Sequence, residues 1–153
     1  MNVAVLPVSE SMLPQIERIE QACFSLPWTP AQLASQLDES RYVFLAAVQD
    51  GRVLGYIGML YVLDEGYISN VAVAPESRRH GVGRALIAEL LERCRELELA
   101  FVTLEVRPSN LPAVALYEGF GFTPVGRRKN YYDKPSEDAL LMTKFWKGGP
   151  AEC

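Results

Sequence analysis

The sequence predicts an α/β (α+β) protein, built on a mixed, mostly antiparallel sheet of six to seven strands with helices on both faces. Three observations point there. First, Tyr67 to Leu91 (YISNVAVAPESRRHGVGRALIAELL) reads as a strand, a glycine-punctuated turn and a long amphipathic helix. Second, the β-rich runs before it are joined by short turns, which make antiparallel neighbours. Third, a further strand follows the long helix, and a helix between two strands of one sheet calls for a parallel pair and a right-handed crossover.

Taken in order, Val3 to Val8 is a first strand, and Ser11 can cap a helix through about Cys23 with Leu13, Ile16, Ile19 and Ala22/Cys23 on its inner face. Phe24-Ser25-Leu26-Pro27-Trp28 is a loop too rich in large side chains to be a mere connector. It either seals the edge of the core or contacts a substrate. Thr29 caps a second helix, with Pro30 at its first position and Gln32 at its third, ending near Glu39. Arg41 to Gln49 and Arg52 to Leu63 are strands around an Asp50-Gly51 hairpin turn, and Gly55 and Gly58 mark a bend or close packing. Asp64-Glu65-Gly66 turns the chain into the strand containing Ile68, Val71 and Val73. The long helix then repeats Leu86/Ile87, Leu90/Leu91, Cys94 and Leu97 at helical spacing. Ala100 to Arg107 is a strand, and Ser109-Asn110 caps a short helix from Leu111 to Glu118. Gly119-Phe120-Gly121-Phe122 stops that helix. Phe122 to Arg128 and Asp138 to Phe145 are the last strands, joined by a polar, aromatic loop from Lys129 to Glu137.

A chain of 153 residues implies one domain, here residues 1–147, followed by a flexible tail over residues 148–153. The start lacks the basic and apolar segments of a signal peptide, and no apolar run suits a membrane span. Three cysteines without C-x-x-C spacing and a single histidine argue against a disulfide framework or a metal site. A reducing cytoplasm is the expected compartment. The net charge of −4 disfavours nucleic-acid binding and suits a partner with a cationic end.

The chemistry starts at the turn. Arg78-Arg79-His80-Gly81-Val82-Gly83 presents successive backbone amides at a helix start, where two glycines permit positive φ and close approach of a ligand. The helix adds its unpaired N–H groups and partial positive charge, with Arg78, Arg79 and Arg84 reinforcing the field. This is an anion site suited to phosphate. It is no Walker loop, because Gly83 is followed by Arg84-Ala85, and it lacks the third glycine of a dinucleotide fingerprint. Glu105 lies on the strand face shared with Thr103 and Arg107, opposite Val102, Leu104 and Val106. A carboxylate there is either a partly desolvated base or the partner of Arg107 on a solvated face. Tyr117 shares a helix face with Ala113 and Phe120, where core packing is the ordinary fate of an aromatic residue. Asn110 is at least a helix cap.

These motifs together carry a resemblance. R-x-x-G-x-G opening a helix after a strand and Ala74-Pro75, followed by A-x-x-L-Y-x-x-x-G-F at Ala113 to Phe122, resembles the acetyl-CoA site of the GCN5-related N-acetyltransferase (GNAT) superfamily. FSLPWT, NVAVAP, LEVRPSN, ALYE, RKNYY and Glu137-Asp138-Ala139 are similar to one branch, the RimI-type ribosomal-protein-alanine N-acetyltransferases. The resemblance covers nearly the whole chain. It implies the GNAT fold and acetyl-CoA as co-substrate without a metal. It places the pyrophosphate on Arg79, His80, Gly81, Val82, Gly83 and Arg84, the pantetheine arm beside Val71, Ala72 and Val73, and a further contact at Asn110. Glu105 becomes the general base and Tyr117 the acid that protonates the departing thiolate. Phe24, Pro27 and Trp28, with Tyr131 and Tyr132 in the last loop, become walls around the attacking amine. The implied partner is a protein N-terminus, that of a ribosomal protein, met by a monomer or weak dimer without nucleic acid or membrane. A lysine or small-amine acetyltransferase and a non-catalytic acyl-CoA-binding module are the alternatives.

Overall fold

In the computed structural model, residues 3–133 and 136–147 are described. The expected tail at 148–153 lies outside them, as do two positions of the expected 129–137 loop. Seven strands run in the order β1-β2-β3-β4-β5-β7-β6; β4 and β5 are parallel, and the β1–β2, β2–β3, β5–β7 and β6–β7 pairs are antiparallel. They are β1 (Ala4–Pro7), β2 (Tyr42–Gln49), β3 (Arg52–Val62), β4 (Glu65–Val73), β5 (Phe101–Val106), β6 (Thr123–Tyr132) and β7 (Glu137–Phe145). The helices are α1 (Leu13–Cys23), α2 (Pro30–Ser35), α3 (Val82–Glu96) and α4 (Leu111–Gly119). The order of elements is the one expected, and β7 inserts between β5 and β6.

By internal contacts the chain forms two compact units. The first comprises residues up to Leu60 together with Ser69–Arg93; the second comprises Tyr61–Ile68 and the chain from Cys94 onward.

In the first unit, α1 contributes Leu13, Ile16 and Ile19 and α2 contributes Leu33 to a core shared with Phe44, Ala46, Val53, Tyr56, Ala72 and Ala74. β3 is buried without interruption from Val53 to Met59, as a strand covered on both faces must be. Its two glycines serve close packing. A Cβ on Gly55 would sit 2.6 Å from the Ala72 carbonyl oxygen, and one on Gly58 would collide with the Tyr42 hydroxyl. Asp50 and Gly51 take φ of 51° and 76°, as the hairpin turn requires. The α2 cap is built as the sequence indicates: Gln32 N–H donates to Thr29 Oγ1 at 3.2 Å, and Thr29 N–H to Gln32 Oε1 at 2.8 Å.

Three local expectations are corrected. Ser11 does not cap α1. A 3-10 turn over Glu10–Met12 intervenes, and the Ser11 hydroxyl instead meets that of Ser9 at 3.0 Å. The β3–β4 turn is tighter than expected, because Leu63 takes a φ of 56° and lets the chain re-enter the sheet at Glu65. Leu97 lies beyond the end of α3 and is 38% exposed; Leu99, past a left-handed Glu98, takes the inward position.

In the second unit, β4 pairs with β5 only from Glu65↔Phe101 to Tyr67↔Thr103. Along β5 the side chains alternate as expected, with Val102, Leu104 and Val106 buried. Asn110 caps α4, its Oδ1 accepting from Ala113 N–H at 3.3 Å.

Candidate active site

The first unit carries the expected anion loop. Arg79 and Gly81 take positive φ, 67° and 79°, and turn the backbone into α3. Gly83 is already helical, so the second left-handed residue is Arg79, in place of the expected second glycine. Ala85 N–H closes the first intrahelical bond, to Gly81 O at 3.0 Å. By helix geometry the amides of residues 82–84 therefore project from the N-terminal end. Apart from Gly81 itself and its two chain neighbours, no described atom lies within 4 Å of where a Gly81 Cβ would be, so the backbone there is open. Arg79, His80 and Arg84 are accessible, whereas the Val82 side chain is buried beside Gly55. Ala72 is buried and Val71 and Val73 half-buried on β4. Arg78 folds back on that strand, its Nε donating to Val73 O at 3.2 Å. Cys23 Sγ donates to the same oxygen at 3.4 Å.

The aromatic loop after α1 is held by a residue the sequence reading passed over. Glu20 is 1% exposed on the inner face of α1. Its Oε2 accepts the Trp28 N–H at 2.8 Å, and its Oε1 accepts from the Tyr56 hydroxyl and, at 3.3 Å, from Asn70 Nδ2. Its position four residues after Ile16, on the apolar stripe, was the available signal. Phe24 and Trp28 rest against the core, while Pro27 is exposed. The carboxylate and its own burial push the Tyr56 phenol well up, burial being the larger cause.

The second unit carries the expected acid–base groups. The Glu105 side chain is 5% exposed, and its Oε1 accepts a hydrogen bond from the Tyr67 hydroxyl. Its ion pair is with Arg128, Nε to Oε2 at 3.0 Å, and not with Arg107. That N–H is not aligned for a hydrogen bond, so among the described residues Oε2 has no donor directed at it. Arg107 pairs with Glu137 at 3.4 Å, donates to Asp133 O at 3.2 Å and lies 4.4 Å above the Tyr132 ring. Glu137 also accepts Ser109 N–H at 2.9 Å and the Ser109 hydroxyl at 2.8 Å. These bonds, the hydroxyl's foremost, hold its carboxyl below the usual range.

Tyr117 is buried, its ring centroid 5.8 Å from that of Phe122, and burial pushes its phenol up to about 12. Among the described residues no hydrogen bond engages its hydroxyl. Tyr131 and Tyr132 are not in a loop, as expected from their polar surroundings, but at the end of β6, with ring centroids 5.0 Å apart. Burial, then the charge of Glu105, raises Tyr132.

Glu105, Tyr117, Tyr131, Tyr132 and Asn110 thus gather in the second unit, and Phe24, Pro27, Trp28, Val71 to Val73 and the anion loop in the first. Tyr67 and Arg128 are additions to the expected set. Tyr67 was legible only through the parallel register, which sets it opposite Thr103, two residues before Glu105 on one face. Arg128 reaches Glu105 from two strands away, beyond any local pattern.

The positive-φ turn that opens a helix after a strand, in the first unit, and the buried carboxylate on the next strand, in the second, are the features the sequence resemblance called for. The family comparison agrees: residues 13–122 match the acetyltransferase (GNAT) family, and the chain belongs to it. The [ribosomal protein bS18]-alanine N-acetyltransferase of Escherichia coli is 39% identical over 85% of this chain and 88% of its own. A relative from Bacillus subtilis is 41% identical over 83% of this chain and 85% of its own. The crystal structure of the Escherichia coli ribosomal-protein-S18-alanine N-acetyltransferase superposes with a TM-score of 0.88, covering 99% of both chains at 32% identity.

Proposed function

We propose that this protein is an N-alpha-acetyltransferase that moves an acetyl group from acetyl-CoA to the N-terminal amine of a protein, in particular the N-terminal alanine of a small-subunit ribosomal protein. The observation that carries the reading is Glu105. It is a buried carboxylate with one oxygen pinned by Tyr67 and the other facing no aligned donor. That placement suits the role of a positioned general base. The relatives named for this activity support the substrate, and their shared length supports carrying it over to the whole chain.

The residues present fit the co-substrate. A pyrophosphate would lie against the helix amides beside Gly81, where a Cβ position is open, with Arg79 and Arg84 supplying charge. Acetyl-CoA supplies an activated thioester. Glu105 takes the proton of the amine, directly or through a water, and Tyr117 gives its own to the leaving sulfur. A phenol held at about 12 keeps its proton at working pH. Phe24, Pro27, Trp28, Tyr131 and Tyr132 would bound the peptide, and Asn110 would meet the carrier with the amide left over from its cap.

An N-terminal amine suits one modest base. With a pKa of about 7.7–8.0, about a tenth of it is neutral at pH 7, against on the order of 1 in 2,500 for lysine at about 10.4. No helix is long and apolar enough to cross a membrane among the described residues, and we place the enzyme in the cytoplasm, where ribosomal proteins are made. The test is a competition between a peptide with a free N-terminal alanine and an N-terminally blocked peptide carrying lysine. Acetylation of the first alone is expected. Equal rates would turn the assignment to lysine, and no turnover of either would leave an acyl-CoA-binding module.

A further inference from the structure

Arg128 has no place in the proposed chemistry, yet among the described residues it is the cation paired with the proposed base. The two partners differ sharply in environment. The Glu105 side chain is 5% exposed and that of Arg128 is 58% exposed. Arg128 projects from β6, every residue of which is exposed from Thr123 to Tyr131. A second resting place is within reach, since its guanidinium lies 5.8 Å from the centre of the Tyr131 ring. The pair is close in distance, but its N–H is not directed at Oε2.

A carboxylate this buried is costly to leave without a counter-charge. An exposed cation on a long side chain, in contrast, gains little from one such pair. The strong need is on the glutamate's side and the weak hold on the arginine's. The proposed substrate arrives with a cation of its own, because about nine-tenths of an N-terminal amine is protonated at pH 7. We propose that Arg128 is a placeholder. In the free enzyme it holds the position on Glu105 Oε2 that the substrate's α-ammonium takes, and it withdraws toward Tyr131 when the peptide binds. The exchange leaves the charge balance around Glu105 unchanged. It also sets a specificity: a peptide end without a positive charge cannot displace Arg128 without leaving Glu105 unpaired.

This inference rests on the N-terminal amine reading, and its test separates the two. Binding is measured by calorimetry on protein saturated with CoA, where no transfer occurs. The two ligands are an alanine-initiated peptide and the same peptide with its terminal amine replaced by hydrogen. Wild type should prefer the peptide with the amine. Arg128→Ala, on an exposed edge strand, should remove the competitor and tighten that peptide about two- to fivefold, the range an exposed pair supplies. The des-amino peptide should be unaffected, and Arg128→Lys should behave as wild type. Arg128→Ala that weakens both peptides would make Arg128 a peptide contact and overturn the placeholder. An unchanged affinity for the amine peptide, or equal tightening of both, would overturn it as well. Wild type that binds the two peptides alike would instead defeat the amine reading itself, and the placeholder with it.

Discussion

At the scale of single residues, the two proposed proton-transfer groups differ in how they are held. Glu105 is tethered through Tyr67, whose phenol is pushed up first by burial and then by the carboxylate beside it, so Tyr67 remains a donor. Among the described residues Tyr117 is held by packing, against Phe122 among others. Tyr117→Phe keeps that packing and deletes one proton. Its kcat should fall by roughly 10²–10⁴ if it is the general acid, with the thermal midpoint almost unmoved. Glu105→Gln should likewise lower kcat, because no carboxylate is left to take the amine's proton. Near-normal turnover in both variants would remove these two residues from the chemistry. Arg107 shows what a strand face hides from the sequence. It shares the face of Glu105 but is engaged by Glu137, because the closing hairpin presents an acid to it.

At the scale of elements, signals that are local in sequence were legible. The capping box of α2, the Asp50-Gly51 turn and the glycine turn before α3 all depend on residues within four positions of one another. What depends on a distant partner was not. β6 was expected to end at Arg128 because a strand exposed along its length shows no alternation, and its hydrogen bonds to β7 alone extend it to Tyr132. Glu20 was concealed in the same way, since its partners come from the following loop, β3 and β4. Glu20→Gln places an amide where Trp28 N–H, Tyr56 O–H and Asn70 Nδ2 all donate, so at least one donor loses its acceptor. A buried unmet donor costs about 1–3 kcal/mol. Urea denaturation should register that loss. If Phe24 to Trp28 form a wall for the peptide, KM for peptide should also rise more than KM for acetyl-CoA. A loss of stability with both KM values unchanged would confine Glu20 and this loop to the core edge.

At the scale of the whole molecule, the order of elements followed from the alternation of periodicities along the chain, while the position of β7 between β5 and β6 needed the structure. One property belongs to the protein as a whole. Tyr42 and Tyr117 are raised to about 12, chiefly by burial, and Tyr56, Tyr67 and Tyr132 are raised as well. The thiol of Cys94 is raised to about 12 for the same reason. Each group binds its proton more tightly folded than unfolded. Their contribution is therefore fully present below the unfolded values, about 10 for tyrosine and about 8.5 for cysteine, and is lost as pH rises through the folded ones. Ionised phenols would also deepen a net charge that is already −4 at pH 7. The urea midpoint should be level from about pH 7 to about pH 8 and then fall steeply above about pH 10. Phenolate absorbance should lag behind that of free tyrosine until unfolding begins, then rise together with it. A midpoint unchanged beyond about pH 11, with the phenols titrating at their ordinary values, would mean that these side chains are open to water in solution.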